Sequence, residues 1–370
     1  MKRTKTSHRR FSALIGVTAV AAAAGVGLAV LPALPDGGGD GAGRGSGNQA
    51  GPAGVDRAGY AGRGDGGRAS HAGHGDAGSA VIAEGTGERT SSTATALFVA
   101  SLDGANEVPV KGGPAVDDRD GQALQFVKVQ GDRVSVAVKF RGTDRPTALH
   151  IHQGARGTNG GVKIDFTGLL ARGGGELKGW TGTVTGAVRV KDKALLKKFT
   201  AGPNGFYANL HTARFPGGAV RGQFHRVNTA FPFDRALHNF QASVVRGKQI
   251  YQCKKAKGGG YSFQQRDVSA VLGGAISHSF VAPNSGAPRW VAADRSAVTG
   301  KLLRSVPNGR KNIAELHLKA EQAGKKKGRL ATVREIFRLN TTGGVAPAGR
   351  CAKGAVTGVS YGADYVFVQK

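Results

Sequence analysis

Residues 95–102 read TALFVASL, residues 124–130 read LQFVKVQ and residues 133–140 read RVSVAVKF. Val, Phe and Thr recur in these runs with a period of two, and Gly or Asp breaks separate them. That is the period of a strand, whose successive side chains point to opposite faces. GTVTGAVRV at 182–190 and AVRGQF at 219–224 continue the texture. Short runs at this spacing predict an all-β sandwich or barrel. One short helical candidate, DKALLKKF, lies at 192–199, and NTAFPFDRA at 228–236 reads as a connector. Beyond it the style repeats. Strand candidates are 248–253, 261–265, 289–293, 314–320, 332–339 and 365–369, punctuated by Gly and Pro. The expectation is all-β, with two β-sandwich-like domains over 95–226 and 234–370, each near the usual domain size.

Upstream the texture is different. Lys2, Arg3, Lys5, Arg9 and Arg10 precede an uncharged stretch from Phe11 to Pro35, with the apolar core ALIGVTAVAAAAGVGLAVL at 13–31. A basic start followed by an apolar core is the order of a secretory signal. The core is longer than a typical signal core and barely the length of a spanning helix, so a cleaved signal and a membrane anchor both stay open. Either places the rest of the chain outside the cytoplasm, since the positive flank stays inside. Arg9-Arg10 hints at twin-arginine export, although Phe11 follows without the usual spacer. Residues 36–94, opening DGGGDGAGRGSG, hold few sizeable apolar groups. Such a segment cannot bury enough surface to offset its ordering entropy, which predicts a disordered Gly-rich linker.

The composition narrows the function classes. The chain has 370 residues, 61 of them Gly, without the strict Gly-X-Y period of collagen. Two cysteines, Cys253 and Cys351, exclude a Cys-rich scaffold and a four-thiolate cluster. An even count in an exported chain points to a disulfide, with free thiols or a Cys/His metal site as alternatives. The formal net charge is +28, and residues 234–370 alone carry 23 basic and seven acidic side chains. A basic surface attracts polyanions. For an exported chain, an anionic cell-wall polymer or membrane surface is a better partner than genomic DNA.

The stretch richest in chemistry is ALHIHQGARGTNGGV at 148–162. On a strand, His150 and His152 point to one face and Ile151 to the other. Two imidazoles at this spacing can share a metal ion, and His211 in YANLHT can supply a third, with His225 as a candidate fourth. Imidazole suits Zn, Cu, Fe or Ni. The alternative is that these histidines make structural hydrogen bonds.

SLDGANEVPV (101–110), ALHIHQGARGTNGGV (148–162) and NLHTARFPGGAVRGQF (209–224) together resemble the CHRD domain, named from chordin. The resemblance implies an extracellular β-sandwich module that serves as a binding unit. The histidine layout also resembles the copper site of copper/zinc superoxide dismutases. That likeness implies His150, His152 and His211 as copper ligands and Arg221 as a residue attracting an anionic substrate. The segment has no cysteine for that family's disulfide, and no bridging histidine or zinc-ligand set is recognisable between His152 and His211. The likeness therefore reaches copper binding and stops short of dismutase activity.

IYQC (250–253), HSF (278–280), RWVAADRSAVTG (289–300), RLNTTGGVAPAGRC (338–351) and SYGADYVFV (360–368) resemble the bacterial domain of unknown function DUF3455. That likeness implies an envelope or secreted protein and no known chemistry. His278, Asp294 and Ser296 suggest a catalytic trio, but the strained G-x-S-x-G elbow is missing. Trp290 and Tyr361 are candidates for core or for a ligand platform. The leading expectation is an exported envelope-binding protein without catalytic activity, its basic surface held near anionic polymer. The alternative is a copper-binding protein using His150, His152 and His211.

Overall fold

The computed structural model describes residues 94–370. The signal or anchor at 1–35 and the linker at 36–94, but for Ala94, lie outside the described residues. No helix of the described residues is long and apolar enough to cross a membrane.

The first module is one curled antiparallel sheet. Its strands are β1 (Thr95–Asp103), β2 (Gln122–Gln130), β3 (Arg133–Arg141), β4 (Pro146–Gln153), β5 (Val162–Asp165), β6 (Gly182–Arg189), β7 (Phe206–Thr212), β8 (Val220–Gln223) and β9 (His225–Val227). The order is β5-β4-β7-β8-β1-β2-β3-β6, with β9 also on β1. The sheet wraps a core that includes Phe98, Val136, Ile151, Phe166, Leu210 and Phe224. The helix α1 (Lys193–Ala201) starts one residue inside the predicted stretch, because Asp192 is its N-cap and accepts a hydrogen bond from Leu195 N at 2.9 Å. Leu196 and Phe199 bury its apolar side in the same core.

The second module is a closed barrel in sequence order: β10 (Phe240–Lys255), β11 (Tyr261–Leu272), β12 (Ile276–Phe280), β13 (Pro288–Val291), β14 (Ala297–Val306), β15 (Glu315–Gln322), β16 (Val333–Gly343) and β17 (Val356–Gln369). Full closure removes the sheet edges that a sandwich leaves. β12 and β14 are absent from the sequence expectation. β14 escapes a burial-based reading because its second half, Lys301–Ser305, is exposed. Cys253 and Cys351 form a disulfide, with Cα atoms 5.9 Å apart. The bridge excludes the free-thiol and Cys/His-metal alternatives and fits an oxidising compartment.

The modules are not separate beads. A third apolar cluster joins Leu97, Val99, Leu124 and Phe126 of the sheet to Phe337, Leu339, Val366 and Val368 on the outside of the barrel. Beside it lies a buried polar network. The Asp364 carboxylate accepts from Ser101 Oγ at 2.9 Å and from Asn340 Nδ2 at 2.8 Å. Lys139, almost fully buried, donates from Nζ to the carbonyls of Leu237 and Asn239 at 2.8 and 2.6 Å. Burial, then the charge of Arg141, pulls its pKa down to about 8. The connector is thus clamped onto the sheet. Its start is held from the barrel side, where Glu335 accepts the amides of Asn228 and Thr229.

Candidate metal centre

β4 carries His150 and His152, and β7 carries His211. The register sets Ala148 opposite His211, His150 opposite Asn209 and His152 opposite Tyr207. Directly opposed residues share a face, so all three imidazoles stand on one side of the sheet. Leu149, Ile151 and Leu210 point the other way, into the core. The predicted trio therefore converges. One nitrogen from each ring lies within 4.8 Å of the other two. Among the described residues, no other group of three His, Cys or acidic side chains meets in this way.

The hydrogen bonds decide which nitrogen each ring offers. His152 Nδ1 lies 2.8 Å from the Gly160 carbonyl, and His211 Nδ1 lies 3.0 Å from the Pro216 carbonyl. A carbonyl only accepts, so both Nδ1 atoms carry the proton. Burial holds His152 down to about pKa 4 and lowers His211 as well. Both rings are therefore neutral, and their Nε2 lone pairs are free. His150 presents Nδ1 to this space, 3.3 Å from His211 Nε2. Its Nε2 faces outward, 3.3 Å from Thr167 Oγ1 and 3.4 Å from Asp165 Oδ1. With the proton on Nε2, facing Thr167 and the Asp165 carboxylate, His150 frees Nδ1 as a ligand. A metal-binding histidine ordinarily has its second nitrogen held by a carbonyl or carboxylate, and all three rings meet that condition.

The donor set fits a metal. His152 Nε2 is buried and has no hydrogen-bond partner, a costly arrangement for an imidazole that nothing is meant to meet. Metal–imidazole bonds are about 2.0–2.1 Å, so two nitrogens on one ion sit at most about 4.1 Å apart. In a tetrahedral site the nitrogens sit about 3.3 Å apart, so the widest pair closes by at most about 1.5 Å. Three imidazoles leave a fourth position open.

The support comes from the loop 154–161. Tyr207 stacks on His152, with ring centres 4.9 Å apart, and its hydroxyl reaches both the amide and the carbonyl of Gly160. A Cβ at Gly160 would lie 1.6 Å from the Gln153 carbonyl oxygen, so only glycine allows this turn. Arg221 takes a different place from the one its sequence suggests. It is 1% exposed and lies over the Tyr207 ring, 3.4 Å from the ring centre. Its guanidinium donates to Thr158 O, Ala155 O and Asn159 Oδ1 at 2.7, 3.2 and 3.0 Å. It acts as a clamp on the loop that orients His152. No signal in the sequence separates a clamping arginine from one that attracts an anion.

His225 does not join the cluster. It sits on β9 against the barrel, with Nε2 3.6 Å from Glu315 Oε2. Arg156, in the loop that orients His152, also reaches Glu315 at 2.6 Å. Burial, then the charges of Arg156, His317 and Arg304, pushes His225 down to about pKa 3. It is neutral when folded and protonates near 6.5 when unfolded, so it favours unfolding as pH falls below 6.5. At pH 5 that amounts to about 2 kcal/mol. Replacing it, His225→Gln, is expected to narrow the stability difference between pH 7.5 and pH 5 by this amount. Denaturant titrations at both pH values check it, and parallel pH profiles for variant and wild type would contradict it.

The suggested His278/Asp294/Ser296 trio is not assembled. Asp294 Oδ1 accepts from the Ser296 amide at 2.8 Å, and Oδ2 accepts from the Arg329 amide at 2.7 Å, which makes it a turn staple. His278 instead stacks on Trp290 within the barrel, with ring centres 4.4 Å apart.

Residues 98–224 match the family model of the CHRD domain, and residues 262–369 match that of DUF3455, a protein family of unknown function. No curated protein and no solved structure matches the chain.

Proposed function

We propose that this chain, a CHRD domain followed by a DUF3455 domain, is an exported protein that holds one copper ion at His150, His152 and His211. The observation that carries the reading is the pair of imidazoles whose Nδ1 protons are committed to carbonyls while their Nε2 atoms converge with His150 Nδ1. An all-imidazole set favours copper or zinc, and at equal geometry Cu(II) binds more tightly than Zn(II). Bound there, the ion would supply a Lewis-acidic and redox-active centre. The protein's own part is to keep the rings neutral and oriented. Burial keeps them neutral, and Asp165 and the carbonyls of Gly160 and Pro216 orient them.

Calorimetric titration of the metal-stripped chain with Cu(II) and then Zn(II) tests the reading. One-to-one copper binding is expected. His152→Ala and His211→Ala should each weaken it by more than the roughly 10–100-fold typical of losing an orienting partner, and Asp165→Ala by about that amount. Copper binding that is no tighter in wild type than in the triple alanine variant would sink the proposal.

The exported location rests on the N-terminal signal pattern together with the disulfide. A second reading, association with anionic cell-wall polymer or membrane surface, is supported by the exposed run Lys325–Lys327, near Arg295 in the barrel. Surface charge acts through a Debye length of about 10 Å at 0.1 M salt and about 3 Å at 1 M. The chain should therefore adhere to isolated cell walls at low salt and elute near 1 M. Equal retention at both would contradict this reading.

A further inference from the structure

The barrel contains a cavity of about 250 Å³ that the metal centre does not use. Gln249, His278, Trp290, Leu318, Arg338 and Tyr365 contribute to its wall. An eight-stranded barrel has an interior wide enough either to be filled by side chains or to hold one small ligand. Here two polar groups of the lining residues are left unserved. Trp290 and Gln249 are each 1% exposed, yet Trp290 Nε1 and Gln249 Nε2 have no hydrogen-bond partner. Two buried donors without acceptors, on residues that line one cavity, are an exception to the rule that such groups are paired.

The remaining wall completes a recognisable chemistry. Arg338 is the one permanently charged residue lining the cavity, and no acidic residue lines it. Among the described residues, no carboxylate pairs with Arg338. Its Nε and Nη2 donate to a single carbonyl, that of Ala314, at 3.2 and 2.8 Å. His278 is neutral and donates from Nδ1 to the Arg289 carbonyl at 2.9 Å, so its Nε2 is an acceptor. His278 and Trp290 stack on each other in the cavity wall. Gly300 lets Trp290 and Leu318 pack closely in that wall. A Cβ there would lie 2.9 Å from the Trp290 ring and 3.0 Å from Leu318.

From these groups we infer that the barrel cavity is a binding site for a small aromatic carboxylate. The ring lies along the apolar and aromatic wall. The carboxylate takes the charge of Arg338 and the free N–H groups of Trp290 and Gln249, and a ring hydroxyl suits His278 Nε2. The volume corresponds to about eight waters at roughly 30 Å³ each, which is the scale of one substituted ring. The site is independent of the metal reading, since it shares none of the three histidines.

The chain has two tryptophans, Trp180 and Trp290. Trp180→Phe therefore leaves Trp290 as the sole indole reporter at the cavity. Benzoate, 4-hydroxybenzoate and the neutral benzamide are titrated against this variant of the full chain, with fluorescence and calorimetry as readouts. Saturable binding of both acids with Kd near 1 mM or tighter is expected, and benzamide should bind at least tenfold more weakly. Arg338→Met and, separately, Gln249→Leu should each weaken benzoate by about tenfold or more while melting stays cooperative. Gln249→Leu serves if Arg338→Met fails to fold. Absence of saturable binding in a folded chain would overturn the proposal, as would equal affinity for benzoate and benzamide.

Discussion

Replacing both Cys253 and Cys351 by serine is expected to lower the folding stability of the chain by about 4–5 kcal/mol, which follows from the chain-entropy cost of a loop of this size. The bridge spans 98 residues of sequence and so removes a large share of the freedom of the unfolded barrel. It also does local work in the folded state. Residues 345–355 form a connection that is mostly exposed, with few buried side chains of its own. Cys351 ties this connection to β10, where Cys253 is 2% exposed. The Cys253 amide donates to Ala355 O at 2.8 Å, and the Gly354 amide donates to Cys253 O at 3.0 Å. Without the bridge these two bonds must hold the connection alone, at a net worth of about 1 kcal/mol each. Equilibrium unfolding in urea, comparing the oxidised chain with the double serine variant, measures the loss. A difference below about 1 kcal/mol would mean that the barrel closes its ends without help from the bridge.

The fold class could be read from the sequence because period-two runs of Val, Phe and Thr constrain it. The joining of the modules could not, although its trace is present. TALFVASL has apolar or small residues at both phases, and Ala96 to Leu102 are all buried. Such a run belongs to a strand covered on both faces rather than to one with a wet side. Phe98 and Leu102 serve the core of the first module, while Leu97 and Val99 serve the join. YVFV at 365–368 splits in the same manner, with Tyr365 and Phe367 inside the barrel and Val366 and Val368 against the sheet.

The histidine trio was legible for a different reason. His-x-His on a strand fixes two of its members to one face by geometry alone. The third, His211, depends on β7 pairing with β4, which the motif order suggests but does not determine. The buried role of Arg221 was not legible, since it follows from how the loop 154–161 folds back over the sheet. Nor did the sequence show the partnerless donors at the barrel cavity. Trp290 could be singled out as core or platform, and it is buried in the barrel core and lines the cavity.

Phe337→Ala tests the joined architecture. Phe337 is fully buried at the centre of the cluster that links Leu97, Val99 and Phe126 to the barrel. Its ring stacks on His317, with centres 4.3 Å apart and planes 10° apart, and lies 6.2 Å from His225. Truncating a buried phenylalanine costs about 3–5 kcal/mol, the lost transfer energy plus the cavity left behind. The neighbours resist collapse, because Leu97, Val99 and Phe126 lie on β1 and β2, which are paired along their whole lengths. If the modules depend on each other, the wild-type chain unfolds in one calorimetric transition and Phe337→Ala lowers that transition as a whole. The loss should also reach the proposed copper site, since Arg156 of the loop above His152 is paired with Glu315 across the same join. Copper affinity in Phe337→Ala should then fall along with stability. Val345→Ala, at an exposed position, should change stability by no more than about 0.5 kcal/mol. A Phe337→Ala loss as small as that of Val345→Ala would show that the two modules merely touch.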